Sequence, residues 1–263
     1  MDLGVAAKVY MIAGASRGLG FGIAKALAEE GAIVSIASRD ETAIKAAAAS
    51  LAEQTGAEVH GFAFDATDAQ SVKDWTAAVQ SKYGRIDGLA VNAGGPPVGL
   101  FDDFADEDWQ KAFELTLLSA VRMIRAVLPV MRAGGGGSII TLTSSSVKEP
   151  IDNLLLSNVM RSGVVSLAKS LSRQLAPENI RVNNLVPGLI YTDRLKSLIS
   201  NASATTGKSE EEVRASQEKL IPMGRYGDPD EFGKAGAFLL SPAASYVSGE
   251  TLIVDGGSMK TVW

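Results

Sequence analysis

Hydrophobic and polar positions along this chain follow two rhythms in turn: short apolar runs rich in β-branched residues, then longer amphipathic or alanine-rich stretches. This is the pattern of repeated βαβ units, in which a buried strand reads as a continuous apolar run and its covering helix as an amphipathic one. Strands are predicted at Lys8–Ala13, Ile33–Ala37, Val59–Phe64, Ile86–Val91, Ser138–Thr143, Ile180–Val186 and Thr251–Val254. Helices are predicted at Phe21–Glu30, ended by Gly31, at Asp40–Thr55, capped by Asp40 and left at Gly56, and at Asp68–Tyr83, stopped at Gly84. Two longer helices follow, from about Asp106 to Arg132 and from Asn153 to Leu175; the four glycines Gly134–Gly137 after the first read as a flexible surface loop.

Strands as apolar as I-D-G-L-A-V and S-I-I-T-L-T imply burial on both faces, which arises when helices cover both sides of a parallel sheet. The expected fold is α/β, a Rossmann-type doubly wound sheet of seven parallel strands between two layers of helices. A chain of 263 residues, 46% of them hydrophobic, suffices for one core, so residues 1–263 are expected to form a single domain. The one long stretch without strand signals is Tyr191–Gly227, whose polar middle N-A-S-A-T-T-G-K-S-E-E-E lies between helix-like pieces. It reads as a substrate loop or lid, with a plain surface excursion as the alternative.

Between the first strand and first helix stands A-G-A-S-R-G-L-G, Ala13 to Gly20. Glycines at 14, 18 and 20 permit a tight turn and close approach of a bulky anion, and the helix start directs free N–H groups and its positive dipole end at that anion. The functional reading is a pyrophosphate cradle for a dinucleotide; the bland one is an ordinary strand-to-helix turn. Charge narrows the partners. With 30 acidic residues against 25 Lys plus Arg, net charge −5, there is no basic footprint for nucleic acid or an anionic membrane. No apolar run approaches the ~18 residues of a membrane span. Without cysteine, disulfides, zinc thiolates and thiol nucleophiles are excluded. The N-terminal residues M-D-L-G-V-A-A-K lack the form of a secretory signal, so a soluble cytoplasmic protein is expected.

Taken together, these stretches resemble the short-chain dehydrogenase/reductase family over essentially the full length, and its β-ketoacyl-carrier-protein-reductase-like branch most. The loop matches that family's T-G-x-x-x-G-x-G, with Ala13 in place of threonine. Phe64-Asp65 lies where the family has an adenine-contacting aspartate, and Val91-Asn92-Ala93-Gly94 matches N-N-A-G with its first asparagine replaced. I-R-V-N-N-L-V-P-G-L-I-Y-T, Ile180 to Thr192, and the tail S-G-E-T-L-I-V-D-G-G match the last strands and their exits. The resemblance implies a cofactor site built from Gly14, Ser16, Arg17, Gly18, Leu19, Gly20, Ser38, Arg39, Asp65, Ala66, Asn92, Ala93, Gly94, Arg161, Pro187, Gly188, Ile190 and Thr192, with Thr192 on the carboxamide, and no metal.

Ser38 and Arg39 follow the second strand, where an acidic side chain would bind both adenosine ribose hydroxyls and repel a 2′-phosphate. Arg39 and Arg17 would instead pair with that phosphate, so NADP is favoured over NAD. In the alternative, Asp40 or Glu41 turns inward and Arg39 merely begins a solvated helix.

The resemblance breaks at the chemistry. The family protonates the nascent alkoxide from a tyrosine whose pKa is lowered by a lysine one turn later. A serine positions the carbonyl, and an asparagine holds a relay water. Ser144 matches the serine, but the family's spacing puts Ser157 at the tyrosine, Arg161 at the lysine and Thr116 at the asparagine. A serine hydroxyl is a far weaker acid than a phenol, and an arginine does not deprotonate to relay a proton. Arg161 could hold the cofactor ribose or a substrate carboxylate or phosphate. Lys148, Glu149 and Tyr191 are the nearby ionisable candidates for a substitute acid; His60, the only histidine, falls on a strand remote from the site. Two functions stay open: an NADP-dependent oxidoreductase of a small carbonyl or hydroxyl compound, and a nucleotide-binding sensor, partner subunit or scaffold with little dehydrogenase activity. A homotetramer is expected, its interfaces on the two long helices and on Ala235–Trp263, where A-G-A-F-L-L-S and Val262-Trp263 would be apolar and exposed in a monomer.

Overall fold

The computed structural model describes residues 2–262. Seven parallel strands, β1 (Val9–Ala13), β2 (Ile33–Ser38), β3 (Val59–Ala63), β4 (Gly88–Val91), β5 (Gly137–Leu142), β6 (Ile180–Pro187) and β7 (Thr251–Val254), pair in the order β3-β2-β1-β4-β5-β6-β7. The order reverses between β1 and β4, so a crevice opens there at the carboxyl ends of the strands, where doubly wound sheets bind ligands.

Alternation along the strands fills two cores. Val9, Met11 and Ala13 of β1 face the helices α3 (Ala69–Tyr83), α5 (Ser119–Ala133) and α6 (Leu155–Leu175), while Tyr10 and Ile12 face α1 (Gly18–Glu29), α2 (Glu41–Thr55) and α9 (Pro229–Leu240). Strand ends differ from expectation by a few residues, which is ordinary fraying of assignments. The predicted helix from Asp106 to Arg132 is one helical run in three parts: α4 (Asp106–Ala112), a π-helical stretch Phe113–Leu118, and α5, which ends at Ala133. Such a stretch inserts one residue into the helical ladder and is frequent at functional sites.

α9 was not anticipated as a helix. Its start carries a capping box: the Asp228 side chain accepts from Asp230 N–H, Glu231 reaches back to Asp228 N–H, and Pro229 stands in the first turn. It lies on α1 at backbone contact. A Cβ on Gly22 would stand 2.2 Å from the Pro229 carbonyl oxygen, and one on Gly233 2.2 Å from that of Gly22. The apolar run Ala235–Leu240 is therefore covered within the chain: Gly236, Ala237, Leu239 and Leu240 are buried in the α1/α2 core. Its hydrophobicity gives no reason for an interface. Val262 is exposed, and Trp263 lies outside the described residues.

Tyr191–Gly227 is folded. It holds α7 (Asp193–Thr206) and α8 (Glu210–Glu218), packed on a small cluster of their own made by Leu195, Ile199, Val213, Ile221 and Tyr226. Both ends meet at one place, since Tyr191 N–H donates to Gly227 O at 2.8 Å and Gly227 N–H to Leu189 O at 3.0 Å. Among the described residues, no helix is long and apolar enough to cross a membrane.

Candidate active site

The glycine loop needs its glycines. Gly14 and Gly18 adopt φ of +61° and +65°, a region other residues avoid, and a Cβ on Gly20 would stand 2.6 Å from Gly14 O. α1 accordingly begins at Gly18, with the exposed Arg17 as its N-cap and no side chain accepting from its first turn. Those orphan N–H groups, flanked by half-buried Ser16 and Leu19, face the crevice beyond β1. Asn92, just past β4, pins the loop from the other side by donating to Gly14 O at 3.1 Å.

At the end of β2 the acidic side chains are committed elsewhere. Asp40 accepts from Ala43 N–H at 2.9 Å as the cap of α2, and Glu41 pairs with Lys45 at 2.6 Å. Ser38 and the exposed Arg39 remain, and Arg39 has no ion-pair or hydrogen-bond partner among the described residues. Asp65, after β3, accepts from the Thr67 N–H and hydroxyl, both at 2.8 Å. The Thr67 N–H foremost, then its hydroxyl and the charge of Arg39, lower the Asp65 pKa against the opposing effect of burial. Ala66 beside it is buried. Arg17 does not reach toward Arg39; it pairs with Asp193 of α7 at 3.5 Å, both largely exposed.

On the far side of the crevice, Gly188 follows Pro187 with no room for a side chain, a Cβ there meeting Asp255 Cβ at 2.5 Å. Ile190 is buried, and Thr192 caps α7 by accepting from Leu195 N–H at 3.4 Å, its methyl group over Gly18. The cradle, the open ribose corner and these carboxyl-end loops thus face one crevice. The donor set would suit a dinucleotide, with backbone N–H groups for a pyrophosphate and an unpaired guanidinium at the end of β2.

The four positions of the expected chemistry stand on β5, α6 and the π-helical stretch. Ser144, just after β5, accepts from Ser146 N–H at 3.2 Å and keeps its own hydroxyl proton free. Buried Ser157 accepts from Arg161 Nε at 3.1 Å, one helical turn on, and Arg161 Nη1 donates to Leu142 O at 3.1 Å. Arg161 keeps some surface at the crevice, yet its guanidinium is packed round closely enough that desolvation, and after it the charge of Arg194, lower its pKa to about 10. It stays charged at neutral pH. Arg161 also lines a cavity with Ala93, Gly94, Thr116, Ser119 and Leu142, with room for about one water. The Thr116 hydroxyl, buried in the π-helical stretch, has no protein partner.

The remaining candidates stand apart from that cavity. Lys148 is half-buried on the turn after Ser144. The Tyr191 ring is stacked on Tyr226, centroids 6.0 Å apart, with Arg214 over it at 5.1 Å and Lys196 at 5.2 Å, so it is held in the insertion rather than over Ser157. Glu149 accepts from Lys260 N–H at 2.8 Å. His60 is half-buried on β3, bound to Glu58. Arg194, beside Asp193, was not anticipated; its only signal was a basic residue two positions after Thr192 of the Pro-Gly-x-x-x-Thr segment.

Comparison with known proteins agrees with this geometry. Residues 14–259 match the family model described as Enoyl-(Acyl carrier protein) reductase. The chain is 33% identical over 250 residues to the 3-oxoacyl-[acyl-carrier-protein] reductase FabG of Chlamydia muridarum, covering 95% of this chain and 96% of that protein. It is 33% identical to dehydrogenase/reductase SDR family member 4 of Homo sapiens, covering 97% and 88%. The L-sorbose reductase of Gluconobacter frateurii, solved in complex with NADPH and L-sorbose, superposes with a TM-score of 0.95 at 34% identity, with both chains covered completely. The chain belongs to the short-chain dehydrogenase/reductase family of NAD(P)-dependent oxidoreductases. Within it, the relatives include several 3-oxoacyl-[acyl-carrier-protein] reductases.

Proposed function

We propose that this protein is an NADP(H)-preferring oxidoreductase of a small carbonyl or hydroxyl compound, working with Ser157 and Arg161 where its family has tyrosine and lysine. The cofactor preference rests on one observation: Asp40 and Glu41 are spent on Ala43 N–H and Lys45, leaving Ser38 and Arg39 to meet the adenosine ribose. The L-sorbose reductase it resembles was solved with NADPH, which supports the same reading.

The glycine loop would hold the pyrophosphate, Arg39 the 2′-phosphate, and Asn92 to Gly94 with Thr192 the nicotinamide end. A bound nicotinamide supplies or accepts the hydride. The chain's own residues must then steady the oxyanion that hydride addition leaves and provide a proton. Ser144 donates its free hydroxyl to the carbonyl oxygen and fixes its direction. Arg161 adds a permanent positive charge in a poorly solvated place, where a fixed charge stabilises a developing oxyanion far better than in water. It cannot also give up a proton. The proton comes instead from solvent, relayed by a water in the cavity between Thr116 and Arg161 that gives one proton to the alkoxide and takes another from bulk water, the unpaired Thr116 hydroxyl being its natural partner.

Calorimetric titration with NADPH and NADH tests the cofactor reading. NADPH should bind about ten- to hundred-fold more tightly, the worth of one charge-assisted contact, and Arg39→Ala should remove that difference while leaving NADH unchanged. Equal or tighter NADH binding at moderate salt would count against it.

A further inference from the structure

Arg161 is a cation without a counter-ion. Its guanidinium is poorly solvated, yet its two hydrogen bonds within the described residues go to neutral oxygens, those of Ser157 and Leu142. Carboxylates around the open side of the site are spent elsewhere: Asp193 on Arg17 at 3.5 Å and Lys196 at 3.3 Å, Glu149 on Lys260 N–H at 2.8 Å, and Asp255 on the Gly257 and Met259 N–H groups, both at 2.8 Å. A charge withdrawn from water with no opposite charge beside it is costly, so whatever brings it a negative charge is favoured.

The adjoining cavity supplies the place. Arg161 and Thr116 line the same space, together with Gly94, Ser119 and Leu142. Arg161 Nη2, which makes neither of those two hydrogen bonds, lies toward the Gly94–Gly95 side, where a Cβ on Gly95 would stand 3.6 Å from it. Thr116 is 7% exposed and its hydroxyl has no partner. Ser119 has turned its hydroxyl proton to Leu115 O, and Leu142 O is already taken by Arg161 Nη1. The lining thus has two groups with protons to give, a guanidinium N–H and a threonine O–H, and no carboxylate to receive one. A water has two protons of its own to place; a monatomic anion has none, and it also offsets the charge. Size decides among anions. Room for about one water admits a single-atom halide but not a nitrate, carboxylate or phosphate.

We propose that this cavity is a halide site, holding one chloride between Arg161 Nη2 and the Thr116 hydroxyl. Binding needs neither cofactor nor substrate. Where the halide sits the relay water cannot, so chloride also slows turnover; that consequence alone rests on the oxidoreductase reading.

Titration of the cofactor-free protein tests the site directly. Sodium chloride, sodium nitrate and sodium gluconate would be compared at constant ionic strength, by chloride NMR line width and by Tm, in the parent protein, Thr116→Val and Arg161→Met. Chloride should bind saturably with a Kd on the order of 1 to 10 mM and raise Tm, while nitrate and gluconate do neither. Thr116→Val should weaken chloride at least about ten-fold, the worth of one hydrogen bond to a charged group, and Arg161→Met should abolish binding. Three results overturn the proposal: no saturable binding in the parent up to about 100 mM chloride, nitrate displacing chloride as well as chloride itself does, or an affinity unchanged in Thr116→Val. The parent titration decides even where a variant fails to fold. Chloride binding without NADPH consumption on any ketone would refute the oxidoreductase reading and leave the halide site standing. NADPH consumption with no chloride bound would do the opposite.

Discussion

Restoring the family's proton donor is the sharpest probe of the altered site. Ser157→Tyr together with Arg161→Lys places a phenol at the buried Ser157 position and an ammonium one turn later, where Arg161 Nε now lies 3.1 Å from the serine oxygen. The phenol extends well past that oxygen, so it leaves the intrahelical contact and enters the crevice. Losing Arg161 frees Leu142 O from its 3.1 Å donor, a cost of about 1 kcal/mol in stability, partly offset because a poorly solvated guanidinium is no longer carried. The gain is in the barrier. General acid catalysis is worth roughly 10² to 10⁴-fold, or about 2.7 to 5.4 kcal/mol, which far exceeds that structural cost. The assay is NADPH consumption with a panel of simple ketones for the parent, both single variants and the double variant, with NADPH affinity measured in all four. Ketone reduction should be fastest in the double variant, by about 10²-fold or more over the parent. If the parent is fastest, and the double variant loses turnover with NADPH binding intact, then Ser157 and Arg161 belong to a working proton supply of their own and the substitution is no loss.

Two other expectations concern stability. Gly22→Ala drives a methyl group to 2.2 Å from the Pro229 carbonyl oxygen, a backbone atom that cannot swing aside, so α1 and α9 must part. Overpacking of this kind costs about 1 to 3 kcal/mol, read as a fall in Tm of several degrees, whereas Gly94→Ala, whose methyl meets nothing within 4 Å, should leave Tm unchanged. In acid, Glu231 is held down to about 2 by Arg225, at 2.7 and 2.8 Å, and by Asp228 N–H. Its contribution to stability is present above the ordinary carboxylate value of 4.5 and is lost as pH falls toward 2. Glu231→Gln should therefore flatten the acid limb of a Tm-against-pH curve; an unchanged slope would show the pair to be screened away.

How much of this could be read from residues alone depended on how strong a local signal each feature leaves. The strand–glycine–helix unit and the burial of β1, β4 and β5 were legible because a doubly covered strand has almost no polar positions and the loop's backbone admits only glycine at Gly14 and Gly18. α9 was hidden because Gly233 and Gly236 look like breakers; Gly233 is instead where α9 meets the α1 backbone and Gly236 where it makes room for the Ile23 side chain, and the capping box Asp228–Glu231 was the cue that could have revealed it. The π-helical stretch Phe113–Leu118 leaves no mark on a 3.6-residue period, so Thr116 could be placed by the family's spacing but its buried, partnerless hydroxyl could not. α7 and α8 bury one side only, with Leu195, Ile199 and Val213 as sparse apolar positions, too few to read as a core.

The meeting of Leu189, Tyr191 and Gly227 has a further consequence, for how such a protein changes over generations. Because the chain leaves β6 and returns at the same spot through two backbone hydrogen bonds, everything between is a cassette on a closed stem. Its own small cluster of Leu195, Ile199, Val213, Ile221 and Tyr226 travels with it, and neither of the two sheet cores includes a residue from it beyond Ile190 at the stem. Doubling the length of such an excursion costs only about 0.6 kcal/mol in closure entropy. Recombination can therefore exchange one cassette for another while the two sheet cores beneath it are inherited unaltered.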